Sequence, residues 1–330
     1  MGRMVSKTLR VFGVAAATSA LVATGAMAEP LRVGYLSFIT FGGVSVAEQK
    51  GWYEDQGLDV ELILFPSGPP LLEAMASGSI DVGALGGVPT LRTAAQEVFP
   101  LNILSPVADV SSSLNIVAKE EINSLEDLKG KDVSIPWGTT QHLVMAQALE
   151  QNGMSLDDVN LIQMESIDGQ SAFVAGRLDA VIPVPASLRQ VLKARDDIHV
   201  IFEPSDFDPP VSMFDVWVAP KSVVEERGDE IAKVLDIWHG QVVPYLAAGN
   251  YEELQTWLSK NVGAKMTLDE IGSQLGLITL YDKEQVSELA KSGEFARMLK
   301  LQGDFMASVD IIPQIQDYES VINTAPVESD

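Results

Sequence analysis

Short β-rich runs alternate with helix-forming runs along this chain, and the alternation runs through twice. In the first pass, residues 31–36, 58–65, 80–85 and 102–107 read as strands, with helices over 44–56, 69–77 and 89–98 between them. In the second, strands over 131–135, 159–164, 178–182 and 198–202 are separated by helices over 140–151, 170–175 and 186–194. Gly57, Gly78, Gly153 and Gly176 stand at helix ends, where glycine takes the left-handed C′ position without strain. A strand that passes through a helix before reaching the next strand cannot close a hairpin. It makes a crossover, and repeated crossovers build a mostly parallel sheet flanked by helices. Two passes therefore predict an α/β chain with two similar lobes. The lobes also echo each other in sequence: Gly78-Ser79-Ile80-Asp81 matches Gly176-Arg177-Leu178-Asp179, and Val88-Pro89 with Leu91-Arg92 matches Val184-Pro185 with Leu188-Arg189.

Beyond Val218 the pattern turns mostly helical, over 222–246, 251–260, 267–275 and 282–302, and the last dozen residues read as a loose tail. This region has no sheet of its own, so it is expected to pack back on the first lobe. The predicted partition is 1–28 a leader, 29–118 the first part of lobe 1, 119–212 lobe 2, and 213–330 the return strand and C-terminal helices of lobe 1.

The leader reads as an export signal. Arg3, Lys7 and Arg10 form a basic start, Val11 to Ala23 is apolar or small, and Ala26-Met27-Ala28 is a small-x-small cleavage pattern. The apolar run is too short to span roughly 30 Å of hydrocarbon. Cleavage after Ala28 removes three positive charges and takes the formal net charge from −24 to −27. A chain of 330 residues with 46% apolar and 21% charged side chains has enough apolar material for about two folded domains. The excess of 46 acidic over 22 basic residues argues against a nucleic-acid partner, which needs a basic footprint. With 0 Cys there are no disulfides, thiolate metal sites, Cys nucleophiles or Cys-linked lipid anchors. The 3 His lack metal-ligand spacing, and no Gly-x-Ser-x-Gly elbow, phosphate loop or His-Glu-x-x-His run is present. Neither a metal nor a cofactor is expected.

In open parallel sheets, ligands sit beyond the carboxyl ends of the strands. Two facing lobes bring two such edges together, which directs attention to the loops after strands. The loop Trp137-Gly138-Thr139-Thr140-Gln141-His142 opens a helix, and its hydroxyls and N–H groups can hold an anion with help from the helix dipole. N-capping by Thr139 or Thr140 explains the same residues. Ser67-Gly68-Pro69-Pro70 and Leu85-Gly86-Gly87-Val88-Pro89 are similar loops, in which Gly86 and Gly87 permit close backbone approach or make ordinary turns. Phe214-Asp215-Val216-Trp217-Val218 is a strand-like run that carries a carboxylate, a residue depleted in strands. Asp215 either faces solvent on an edge or pairs with a ligand ammonium under a Trp face.

These segments, taken in order, resemble the periplasmic substrate-binding proteins of ABC importers for taurine, alkanesulfonates and nitrate, a superfamily that also includes binders of thiamine-precursor pyrimidines. The resemblance rests on Gly51-Trp52-Tyr53-Glu54-Asp55-Gln56-Gly57-Leu58, on Phe65-Pro66-Ser67-Gly68-Pro69 followed by Met75-Ala76-Ser77-Gly78-Ser79-Ile80-Asp81-Val82-Gly83, on Ser124-Leu125-Glu126-Asp127-Leu128-Lys129-Gly130-Lys131, and on Gly176-Arg177-Leu178-Asp179-Ala180. The taurine-binding branch is nearest, through Thr139-Thr140-Gln141-His142 and Asp215-Val216-Trp217-Val218.

The resemblance implies the two-lobed periplasmic-binding-protein fold and a freely soluble periplasmic receptor that is not an enzyme. It implies a small sulfonate such as taurine as ligand, ABC permease subunits as partners, and a monomer as the simplest state. Helix N-termini and the hydroxyls of Ser67, Thr139 and Thr140 would hold the sulfonate, Asp215 would balance an ammonium, and Tyr35, Phe38 and Trp217 would wall the methylenes. Gly68, Gly86, Gly87, Trp137, Gln141, His142 and Pro185 complete the expected site. One departure is Ile182-Pro183-Val184-Pro185-Ala186, which has no aromatic where relatives often carry Trp. That leaves open another small solute (a pyrimidine, nitrate, a carboxylate or an amine), or a sensor or enzyme on the same scaffold.

Overall fold

A computed structural model describes residues 1–2, 29–184, 187–207 and 213–328. The leader, its cleavage site and Pro185 lie outside the described residues. In the first pass the chain forms β1 (Leu31–Leu36), α1 (Gly43–Gln49), α2 (Trp52–Asp55), β2 (Val60–Phe65), α3 (Gly68–Ala76), β3 (Val82–Gly86), α4 (Gly87–Ala95) and β4 (Leu101–Asp109). The second pass gives β5 (Ile116–Lys119), β6 (Asp132–Ile135), α5 (Thr140–Gln151), β7 (Asn160–Gln163), α6 (Ser166–Val174), β8 (Ala180–Val181), α7 (Leu188–Ala194) and β9 (Ile198–Phe202). The chain ends with β10 (Phe214–Pro220), α8 (Lys221–Ile237), α9 (Val243–Ala247), α10 (Glu252–Trp257), α11 (Leu268–Leu275), β11 (Thr279–Leu280), α12 (Lys283–Lys291), α13 (Glu294–Ser308) and α14 (Ala325–Glu328).

The strands make two sheets, a six-stranded one in the order β11-β4-β10-β3-β1-β2 and a five-stranded one in the order β7-β6-β8-β5-β9. In the first sheet β1 pairs in parallel with β2 and β3, while β10 runs antiparallel between β3 and β4. In the second, β6 is parallel to β7 and β8, and β5 is antiparallel to β8 and β9. The two-lobed α/β architecture expected from the alternation is present, with each mostly parallel sheet carrying returning strands that run the other way. Every residue of β3 is buried, and so is nearly all of β4 and β10, as befits strands covered on both faces. β2, at the edge, is only half-buried.

The sequence echo between the lobes has a structural counterpart. Asp81 accepts from the backbone N–H of Arg32 at 2.9 Å, and Asp179 accepts from that of Asp132 at 3.0 Å. Each carboxylate thus anchors the first parallel strand of its sheet. Each also holds a cation: Arg32 Nη2 lies 2.6 Å from Asp81, and Lys119 Nζ lies 2.7 Å from Asp179.

The structure corrects several expectations. The helix expected over 44–56 is two helices, because Gly51 turns left-handed at φ 74°. The one expected over 282–302 divides at Gly293, with φ 72°. The helix over 222–246 is interrupted by a π-helical turn, Trp238–Val242. β5 was not anticipated. Because it belongs to the second sheet, the chain has changed sheets by Ile116, and the expected boundary after residue 118 falls inside this strand. The tail is docked rather than loose: Ile103 N–H donates to Val321 O at 2.8 Å, and Asn323 N–H donates to Ile103 O at 2.9 Å. The C-terminal helices pack on the first sheet, as expected. There Phe295 of α13 meets Phe214 edge to face at 5.4 Å, and Trp238 meets Trp217 in the same manner at 5.8 Å.

Candidate functional site

The carboxyl ends of β1 and β3 and the first residues of β10 face the loops after β6 and β7. Between them lies a cavity of about 60 Å³ walled by both lobes. A site for one water takes roughly 10–15 Å³ on this measure, so the space suits a guest of a few non-hydrogen atoms. Lobe 1 contributes Leu36, Phe38, Thr40, Phe41, Ser67 and Asp215, and lobe 2 contributes Thr139, Thr140, Gln141, Ser166 and Val184.

Four helices of nine or more residues begin at this cavity. Ser67 is the N-cap of α3, Gly86 of α4 and Thr139 of α5, and Ser166 opens α6. The N–H groups of their first turns lack intrahelical partners, though Pro69 and Pro70 in α3 and Pro89 in α4 have none to offer, and the positive ends of the helix dipoles lie at the cavity. Side-chain capping does not use up the hydroxyls. Thr139 Oγ1 donates instead to Pro136 O at 2.6 Å. Ser67 Oγ is 4% exposed and has no hydrogen-bond partner. Ser166 Oγ accepts from Gln141 Nε2 at 2.9 Å, which leaves its own proton free to donate. This wall is therefore a set of donors suited to an anion.

One acidic side chain lines the same cavity. Asp215 pairs by backbone with Gly86 of β3 and Ala108 of β4, which puts its carboxyl at the sheet's cleft edge. It is 6% exposed and makes no hydrogen bond or ion pair with any described residue. Burial, and secondarily the nearby charge of Asp109, push its carboxyl up to about 8. No Lys, Arg or His is among the described residues lining the cavity. Phe38, Phe41, Leu36, Val110, Leu114 and Val184 make the rest of the wall apolar.

Of the residues expected at the site, Phe38, Ser67, Gly68, Gly86, Thr139, Thr140, Gln141 and Asp215 line this cavity. The others, apart from Pro185, which is outside the described residues, lie elsewhere. Trp217 is fully buried against Trp238, two residues further down the strand than Asp215 and so about 7 Å below the edge. Tyr35 is turned into the lobe 1 core, where its hydroxyl accepts from Trp257 Nε1 at 3.1 Å. Gly87 instead gives room for backbone: a Cβ there would stand 2.6 Å from Phe214 O. Trp137 is 44% exposed at the rim and stacks edge-on against His142, with centroids 4.9 Å apart. His142 Nδ1 accepts from Gly138 N–H at 3.2 Å, and burial, then the charge of Arg92, hold the ring neutral, its pKa lowered to about 4.

Residues not anticipated include Thr40 and Phe41, in a 3-10 turn after β1, and Ser113 and Leu114, in the first passage between sheets. Ser166 was within reach of the strand-then-helix rule that found Thr139. It was missed because the helix was expected to start at residue 170.

A family model described as "NMT1/THI5 like" matches residues 39–239. A candidate binding protein of Brucella abortus (strain 2308) is 29% identical over 214 residues, 63% of this chain and 64% of that one. The matched region thus spans somewhat less than two thirds of that relative's length. The taurine-binding periplasmic protein of Escherichia coli (strain K12) is 26% identical over 234 residues, 70% of this chain and 71% of its own. Among solved structures, the periplasmic aliphatic sulphonate binding protein of Escherichia coli superposes with a TM-score of 0.70 at 23% identity, covering 89% of this chain and 92% of that one. At that identity the likeness is one of fold.

Proposed function

Because this chain belongs to the NMT1/THI5-like family, we propose that it is a periplasmic solute receptor of an ABC importer that captures a small aminosulfonate such as taurine between its lobes. The observation that carries this reading is that donors at helix starts from both lobes line the same cavity as one buried carboxylate, which has no partner among the described residues. A guest with an anionic end and an ammonium end satisfies both. A bare anion such as nitrate would meet the helix-start donors but bring no cation to the buried Asp215 carboxyl. The names of relatives that bind taurine support the same class.

In this reading the lobe boundaries are the two passages between sheets, one between Asp109 and Ile116 and one between Phe202 and Phe214. These passages are tied to each other by Val110 N–H donating to Met213 O at 2.8 Å. Bending there closes the lobes over the guest, which bridges them and favours the closed form. A permease then reads that form, and no bond in the solute is made or broken.

Phe38 and Phe41 beside Asp215 favour, as a second reading, a protonated aminopyrimidine held by its ring faces. Thermal unfolding with added solutes separates the two, since a ligand that binds only the folded form raises the unfolding temperature. Taurine is expected to raise it, with ethanesulfonate and nitrate giving little shift at equal concentration. A shift with aminopyrimidine alone supports the second reading, and a shift with nitrate alone contradicts both.

A further inference from the structure

The charge balance of the empty cavity leads to one more step, which rests on the reading above. Asp215 is buried at the cavity and makes no hydrogen bond or ion pair with any described residue. The groups around it do not supply one. On β3 its neighbours are Leu85 and Gly86. On β4 the only titratable neighbour is Asp109, whose carboxylate accepts from Ser111 N–H at 2.9 Å and from the Ser111 hydroxyl. Tyr281, which stacks near Phe214, is itself pushed up by burial and by Asp109. The turn after β1 presents Thr40, α3 presents Ser67, α5 presents Thr139, Thr140 and Gln141, and α6 presents Ser166. None of these brings positive charge. Arg92 on α4 and His142 on α5 stand at the lobe junction outside the cavity lining, and there the Arg92 charge acts on His142.

We propose that Asp215 is a neutral carboxylic acid in the empty site, and that capture of the solute is a cation-for-proton exchange. The ammonium group of the incoming solute takes the place of the carboxyl proton. That proton leaves to solvent, and the closed site then holds carboxylate against ammonium. The ammonium that enters offsets the proton that leaves, and the solute's sulfonate charge is left to the donors at the helix starts. Burial and Asp109 both push this carboxyl towards its neutral form, in the same direction as the geometry. The exchange makes the receptor selective in a way a fixed ion pair would not be. A solute without a cationic group cannot displace the proton, so it gains the helix-start donors but leaves the Asp215 carboxyl unpaired.

The test is calorimetric titration of the purified protein with taurine between pH 6 and 8.5, repeated at pH 7 in phosphate and in Tris. The dissociation constant should fall about tenfold for each pH unit from 6 to 8 and then level off, because only the deprotonated carboxyl binds the ammonium. At pH 7 the difference in heat between the buffers should correspond to about one proton released per taurine bound. Asp109→Asn should bind taurine with its break moved to lower pH, since it removes the charge that helps keep Asp215 neutral. A dissociation constant that is flat across this range, with the same heat in both buffers, overturns the exchange while leaving the aminosulfonate reading standing. No binding of taurine at any of these pH values overturns that reading, and the exchange falls with it.

Discussion

A buried carboxyl with no partner is a cost to the fold that carries it, and among the described residues Asp215 has no hydrogen-bond or ion-pair partner of its own. Its raised pKa means the folded form binds a proton that the unfolded chain gives up from about pH 4 upward. The unliganded fold therefore loses stability at this position as pH rises towards about 8. Asp215→Asn should raise the unfolding temperature of the unliganded protein at pH 8 by a few degrees and remove the stabilisation given by taurine. Ser67→Ala makes the complementary case. Its hydroxyl has no partner to lose, so stability should hold within about 0.5 kcal/mol. Affinity for taurine should fall about tenfold, one hydrogen bond to a charged group being worth about 1.5–3 kcal/mol. Titration of the two variants beside the parent checks both. Asp215 was legible in the sequence because a carboxylate among apolar residues in a strand is out of place. Trp217 was read with it because a Trp face can cover an ammonium and because the family resemblance implies it as a wall of the site. What the sequence did not disclose is direction: β10 enters from the cleft, so two residues onward lies deep in the core.

Elements in this chain are pinned by a few buried polar groups, and these set their separate sensitivities. Asp81 joins β3 to Arg32 of β1 and, at 3.3 Å, to Arg227 of α8. It is 4% exposed. Asp179 makes the equivalent tie in lobe 2, but in a wetter place with a single cation. Asp81→Ala should cost about 2 kcal/mol, since it removes a buried carboxylate shared by two partly exposed arginines and the Arg32 N–H, whereas Asp179→Ala should cost about 1 kcal/mol. Denaturant unfolding of the two variants gives the comparison. The π-helical turn after α8 carries His239 into the core, where its Nδ1 lies 2.7 Å from Tyr281 O and its Nε2 2.7 Å from Ser105 Oγ. With Nδ1–H donating to the carbonyl, Nε2 accepts from the hydroxyl, and the ring is neutral. Burial is the main cause of its pKa being lowered to about 4, while the Tyr281 carbonyl and Asp236 and Asp282 pull the other way. The folded pKa lies below the unfolded one, so this contribution is whole above about pH 6.5 and lost as pH falls towards 4. The unfolding temperature should therefore drop across that window, and less steeply in His239→Gln. Most strands and helices could be placed from periodicity and glycine punctuation. The misses have local causes: β5 is only four residues long, and the π turn keeps a helical hydrophobic pattern while adding a residue to the turn.

At the scale of the molecule, the twofold strand–helix alternation was enough to foresee two sheets facing each other. The exact lining of the cavity was not, because Ser113, Leu114 and Thr40 lie in short connections whose course depends on how the lobes meet. The account stands on those lobes clamping one small guest. With 0 Cys in the sequence, labels can be placed at will. Glu73→Cys on α3 and Glu150→Cys on α5 put one exposed spin label on each lobe, away from the cavity lining. The distance distribution between them, measured with and without saturating taurine, tests the clamp most directly. The account predicts that taurine replaces a longer, broader distribution with a single shorter and narrower one. An identical distribution in both conditions would contradict it.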